Sequence, residues 1–145
     1  MDGRSLTQEE LQLVVEDALG ELPAITCYRS KVGQVVTNLL ANAADALTEK
    51  SKAAKDGGKE RFSGRIKVRS ALREREGRSG VVVSVSDNGD GVPESIRSKI
   101  FQQFFTTKAA GVGTGLGLSM CADIVEEHGG HLFVDDDPEL GGARF

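Results

Sequence analysis

Apolar residues recur along this chain at two periods, and the changes of period divide it into elements. Thr7-Gln8-Glu9-Glu10 has the form of a capping box, and Leu11, Val14, Val15, Ala18 and Leu19 follow at helical spacing. This predicts a helix from about Thr7 to Gly20. Pro23 closes it, and Ala24 to Tyr28 reads as short and extended. Ser30 is a candidate N-cap for a second helix reaching about Lys50, on which Val32, Val35, Val36, Leu39, Leu40, Ala43, Ala46 and Leu47 form a broad apolar stripe. Ser51 to Ser63 is polar and glycine-containing, a flexible excursion rather than a domain boundary.

The period then shortens. Arg65 to Leu72 places Ile66, Val68, Ser70 and Leu72 on one face of a strand. A second strand spans Gly80 to Ser86, and Glu76-Gly77-Arg78-Ser79 reads as the hairpin loop between them. Pro93-Glu94 starts a short helical turn reaching Ile100. Leu116 to His128 is helical, with Leu118, Met120, Cys121, Ile124 and Val125 facing inward, and Gly129-Gly130 stops it. His131 to Val134 reads as a strand, Asp135 to Gly142 as a turn, and Ala143-Arg144-Phe145 as the start of another strand.

At 145 residues, without internal repeats, this pattern fits one domain over 1–145 with a core of Val, Leu, Ile and Ala. The formal charge of −4 implies no general nucleic-acid surface, and the basic residues between Lys50 and Arg78 are interleaved with acids. Cys27 and Cys121 have no metal-binding spacing and read as two buried thiols in a reducing compartment. No apolar run reaches the ~18–20 residues of a membrane span, and the start is not a signal peptide. A cytoplasmic location is expected.

Three constellations carry candidate chemistry. Asn38 and Asn42 lie four residues apart, so both carboxamides project from one helical face that is otherwise apolar, and Asp45 continues the edge. An amide oxygen is a hard, neutral ligand suited to Mg2+, although interhelical hydrogen bonding would also account for the pair. Asp87 ends a strand before Asn88-Gly89-Asp90-Gly91. It serves either as a plain turn residue or as an acceptor for an exocyclic amine such as that of adenine. Gly111-Val112-Gly113-Thr114-Gly115-Leu116-Gly117-Leu118 runs into a helix, where free N–H groups and the helix dipole favour an anion. It is neither a Walker loop nor a dinucleotide fingerprint, because no Gly-Lys-Ser/Thr follows and no βαβ unit encloses it.

In order, Asn38-Leu39-Leu40-Ala41-Asn42-Ala43-Ala44-Asp45-Ala46, Asp87-Asn88-Gly89-Asp90-Gly91, Phe104-Phe105-Thr106-Thr107-Lys108 and Gly113-Thr114-Gly115-Leu116-Gly117-Leu118 resemble the N, first glycine, F and second glycine boxes of sensor histidine kinase catalytic domains. The resemblance covers about Leu22 to Phe145 and is nearest the nitrogen-regulation type of this ATP-binding superfamily. It implies an α+β fold, a two-layer sandwich of the Bergerat type with a mixed sheet, helices on one face and a glycine-rich lid. It further implies ATP and Mg2+ as cofactors and transfer of the γ-phosphoryl group to a histidine.

Carried over by position, Asn42 is the Mg2+ ligand, Asn38 supports metal and phosphates, and Asp87 accepts from the adenine amine. Gly89 and Gly91 let the backbone approach the nucleotide. Gly113, Gly115 and Gly117, with Thr114 and Leu116, form the lid hinge and bring the helix N-terminus to the phosphates. Lys108 is a mobile cation for the phosphates. Phe101 to Lys108 belongs to the moving cover.

The implied partners are a dimerisation and phosphoacceptor helical hairpin, which 1–145 does not contain, and a response regulator, with no nucleic acid and no direct membrane contact. His128 and His131 fall beyond the nucleotide site and are expected to be structural or surface residues. Related ATPases carry a glutamate at the position of Asn38, so a hydrolytic ATPase or nucleotide-gated switch is the alternative. Three departures are expected: no room for an edge strand near Leu19-Gly20-Glu21, a final strand truncated at Phe145, and Ala143 where many relatives have threonine.

Overall fold

The protein is described from a computed structural model that covers residues 12–20, 22, 24–58, 62–105 and 117–145. The described elements are β1 (Gln12–Leu19), α1 (Arg29–Asp56), β2 (Ser63–Arg75), β3 (Arg78–Asp87), α2 (Gly117–Glu127), β4 (Asp135–Asp136) and β5 (Ala143–Arg144). Two 3-10 turns, Glu94–Ile96 and Lys99–Phe101, occupy the position of the short helical turn foreseen after Pro93. The strands form one sheet in the order β1-β2-β3-β5-β4. β1 runs parallel to β2, and every other neighbouring pair is antiparallel.

The helix expected over Thr7 to Gly20 is not formed where the chain is described, because Gln12–Leu19 is a strand. Its residues pair continuously with β2, from Gln12 against Ser63 to Leu19 against Ser70. An ion pair at 2.6 Å joins Glu16 to Arg65 across the two strands. Gly20 N–H then donates to the Ser70 carbonyl at 3.0 Å. Helical spacing in an isolated segment lost to a full row of backbone bonds with a distant partner, which local periodicity cannot register. The edge strand expected to lack room is therefore β1 itself.

α1 starts at Arg29 with Tyr28 as N-cap, without a side-chain cap, and runs to Asp56, further than the expected end near Lys50. Its closing Gly57 and Gly58 donate to the carbonyls of Ala53 and Lys55. Val35, Leu39, Ala43, Leu47 and Ser51 are buried at i, i+4 intervals, so the inward stripe continues past the foreseen terminus through a small polar residue. The hairpin loop is tighter than expected, since Arg75 pairs with Arg78 and only Glu76-Gly77 lies between them. Both have positive φ (53° and 77°), the pattern of a type I′ turn. The strand expected over His131 to Val134 forms instead at Asp135–Asp136.

Ile66 and Val85 of the sheet share the core with Leu39, Ala43 and Leu47 of α1 and with Cys121 and Ile124 of α2. The other face carries Arg65, Lys67, Arg69 and Ser86, with Lys67 and Arg69 reaching Glu139 at 3.1 and 2.6 Å. The helices therefore cover one face of a mixed sheet, giving two layers. On the open face, buried Asp137 accepts from Arg69 at 2.7 Å and from the N–H groups of Glu139 and Leu140 at 2.8 and 2.9 Å. This fixes the turn between β4 and β5 against the middle strands.

Candidate functional site

Asn38 and Asn42 stand one turn apart in the middle of α1, beside buried Leu39 and Ala43. Both are half-buried. Among the described residues, the buried Nδ2 of Asn38 meets no hydrogen-bond partner of ordinary geometry. Its side chain lies against the Cys121 thiol, a weak acceptor. An unsatisfied buried amide costs about 1–3 kcal/mol, which is tolerated where a ligand supplies the missing partner. Burial pushes the Cys121 thiol up, opposed by this amide. Cys121 is fully buried, whereas Cys27 is only half-buried, so the expectation of two buried thiols holds for one.

Asp87, the last residue of β3, is buried beneath the turn that follows it. Its Oδ1 accepts from Gly89 N–H at 2.8 Å and from Ala143 N–H at 3.3 Å. Burial raises its carboxyl above the ordinary range, opposed by those two donors and by the charge of Lys50. Asn88 extends the strand pairing through its side chain, accepting from Arg65 N–H at 2.7 Å and donating to the Ser63 carbonyl at 3.0 Å. Gly91 has a φ of +78°, a conformation glycine adopts without penalty.

The turn packs onto α1. A Cβ on Gly89 would stand 3.7 Å from Ala46 and Leu47, one turn beyond Asn42. The fold thus brings the Asn38–Asn42 face and the Asp87 turn to one region, with α2 on the other flank of α1 through Cys121 and Val35, whose Sγ and carbonyl are 3.9 Å apart. Lys108, Gly113, Thr114, Gly115 and Leu116 lie outside the described residues. Gly117 opens α2 and is exposed, and a Cβ added there would meet nothing within 4 Å among the described residues.

Two further residues of this region gain their meaning only from the fold. In the sequence Gly142 is no more than the end of a turn, yet a Cβ there would stand 2.5 Å from Asp87 Oδ1 and 2.7 Å from Gly89 nitrogen. Its signal is a second glycine beside Ala143, which only the pairing of β5 with β3 makes meaningful. Lys50 marks the expected end of a helix, yet its Nζ donates to the Asn88 carbonyl at 3.0 Å. Ala143 meets Asp87 through its backbone, a contact that the absence of a threonine hydroxyl leaves intact.

Within the segment expected to form the cover, Phe101 is anchored rather than free, its ring edge-on to Phe145 at 6.2 Å. Phe104 is exposed and has a φ of +65°. His128 is structural: its Nε2 accepts from Tyr28 N–H at 3.0 Å, and its Nδ1 lies 2.7 Å from the Ile124 carbonyl, to which it donates as the protonated nitrogen. His131 is exposed and stacks on Phe133.

Residues 27–145 match a family model described as histidine kinase-, DNA gyrase B-, and HSP90-like ATPase. The chain is 40% identical over 121 residues to the sensory histidine kinase/phosphatase NtrB of Azospirillum brasilense, covering 81% of this chain and 28% of that protein. It is 39% identical over 115 residues to the nitrogen regulation protein NtrY of Azorhizobium caulinodans, covering 79% and 13%. The solved catalytic domain of the histidine kinase ThkA, in a nucleotide-free form, superposes with a TM-score of 0.66 at 30% identity, covering 98% of this chain and 80% of that one. The chain thus spans under a third of the length of these curated relatives. No described helix is long and apolar enough to cross a membrane. With its mixed sheet backed by helices and the match over 27–145, the chain belongs to the histidine kinase-, DNA gyrase B- and HSP90-like ATPase family.

Proposed function

We propose that this chain is the catalytic ATP-binding domain of a sensor histidine kinase. It binds Mg·ATP between α1 and the stretch running from the Asp87 turn to the start of α2. It then passes the γ-phosphoryl group to a histidine on a separate helical dimerisation domain, for onward transfer to a response regulator in the cytoplasm. The observation that carries this reading is the state of Asp87. Its carboxylate is buried and positioned by two backbone donors at Oδ1. Oδ2 accepts neither bond and is the acceptor assigned to the adenine amine.

The remaining roles follow the same layout. Asn42 would supply an amide oxygen to Mg2+, and the Asn38 amide, which meets no ordinary partner among the described residues, would donate to phosphate oxygens. The donor set fits the ion, because neutral oxygens suit a small hard cation that also takes phosphate and water ligands. When bound, Mg2+ neutralises charge on the phosphate oxygens. Lys108 adds a cation there. Gly113, Thr114, Gly115, Leu116 and Gly117 are assigned to the phosphates by the resemblance of their sequence, and free N–H groups at a helix start would favour such an anion. Phosphoryl transfer asks alignment of the protein more than covalent participation. The acceptor imidazole nitrogen forms the new P–N bond as the bond from phosphorus to the β,γ-bridging oxygen breaks, and ADP leaves with that electron pair.

Asn38 bears on the alternative. An amide has no basic lone pair with which to activate water, so a chain with asparagine here is poorly equipped for hydrolysis. Isothermal titration with Mg·ATP tests the site. Asn42→Ala and Asp87→Ala should each abolish measurable binding while circular dichroism stays unchanged. Unchanged affinity in either variant removes that residue from the site. Supplying the phosphoacceptor helical hairpin of a sensor histidine kinase and recovering no phosphohistidine would remove the kinase reading.

A further inference from the structure

We propose that Lys50 is a positioning residue for adenine recognition, orienting Asp87 through the peptide that joins Asn88 to Gly89. This rests on the reading of Asp87 above and adds a residue that does not touch the nucleotide. The geometry is a relay across one peptide unit. The ammonium of Lys50 donates to the Asn88 carbonyl oxygen at 3.0 Å. The N–H of that same unit, on Gly89, donates to Asp87 Oδ1 at 2.8 Å. A cation on the oxygen side and a carboxylate on the N–H side polarise the peptide in one direction, so each bond strengthens the other.

The ammonium is itself held from two further sides. It lies 5.0 Å from the centre of the Phe62 ring, just before β2, and 3.6 Å from Asp90 Oδ1 in the turn. Because α1 continues past Lys50, its stem leaves a rigid helix rather than a fraying end. Among the described residues, the charges that act most on Asp87 are Lys50 from α1 and Asp137 from the turn between β4 and β5. Burial and Asp137 favour the protonated acid, and Lys50 favours the carboxylate that an amine donor requires.

The test uses the full chain and the variants Lys50→Met and Lys50→Arg, with Asp87→Ala in parallel. Binding of Mg·ATP, and of adenosine, which carries no phosphate, is measured as the pH is lowered from neutrality. Lys50→Met should weaken both ligands by about tenfold and move the acid loss of binding to higher pH, while Lys50→Arg restores most of the affinity. Loss for ATP alone would show a long-range effect on the phosphates and overturn the proposal. So would an equal loss at every pH that arginine does not rescue, which marks mere structural support, or no loss at all. If Asp87→Ala binds adenosine normally, the reading of Asp87 falls and Lys50 with it. If Asp87→Ala is crippled and Lys50→Met is normal, the Lys50 proposal falls alone. Thermal unfolding accompanies each variant, and Lys50→Gln carries the measurement should the methionine variant unfold.

Discussion

Gly142 and Asp87 are fitted to each other so closely that no side chain can stand between them. A Cβ at position 142 would meet the Asp87 carbonyl oxygen at 2.4 Å and its Oδ1 at 2.5 Å. The last strand therefore seats against the Asp87 turn through bare backbone, and the neighbouring Ala143 N–H reaches the same carboxylate. Gly142→Ala must displace either the β5 end or Asp87. We expect it to lower unfolding stability by about 1–3 kcal/mol. It should also weaken Mg·ATP binding at temperatures where the fold persists. Thermal unfolding and calorimetry on one sample separate the two effects.

Asn38→Glu places a carboxylate where the amide stands. If the position addresses the γ-phosphate side of the site, phosphate release should rise toward the ~100-fold that a positioned general base contributes. Steady-state assay of inorganic phosphate measures this. No rise at all would count against the water-activation argument.

Asp137 supports the site from the open face of the sheet. Burial alone would raise its carboxyl, but hydrogen bonds from Ser86, the Leu140 N–H, Arg69 and the Glu139 N–H outweigh burial and hold it well below the ordinary range. A depressed folded pKa stabilises above the unfolded value of about 3.9, and that stabilisation is lost as pH falls further toward the folded value. Denaturant melts should therefore show Asp137→Asn less stable than the parent by about 2 kcal/mol at neutral pH. The gap should narrow progressively once the pH drops below about 4.

Glu76 occupies a left-handed position in the two-residue hairpin turn, with Gly77 after it. Glu76→Asn creates the Asn-Gly pair that type I′ turns favour and should raise stability by up to about 1 kcal/mol. A higher melting temperature with unchanged nucleotide affinity is the expected result, since the hairpin tip lies away from Asp87 at the far end of β3.

His128→Ala should cost about 1–2 kcal/mol, because Tyr28 N–H loses its acceptor and the Ile124 carbonyl a donor. Phosphoryl transfer to a supplied phosphoacceptor domain should continue. Loss of transfer in a folded variant would contradict a structural role.

Much of the fold was legible because it depends on short-range pattern. The stripe Val35, Leu39, Ala43 and Leu47 on α1, the two strands around Gly77, and the Gly129-Gly130 stop after α2 each rest on residues a few positions apart. The site was legible in its parts for the same reason, with Asn38 and Asn42 on one helical face and Asp87 at a strand end. What local pattern could not carry was β1. Its spacing suits a helix, and only the row of backbone bonds to Ser63–Ser70 makes it a strand.

The sequence by itself determined the elements and the chemical identity of the candidate ligands, since periodicity and residue type are properties of neighbours along the chain. The tertiary structure decided their relationships. It seated Gly142 on Asp87, carried α1 far enough for Lys50 to reach the Asn88 carbonyl, and set the Asn38 amide against the Cys121 thiol. Each of these joins groups tens of residues apart, where burial and backbone pairing bring together atoms that no local propensity can place.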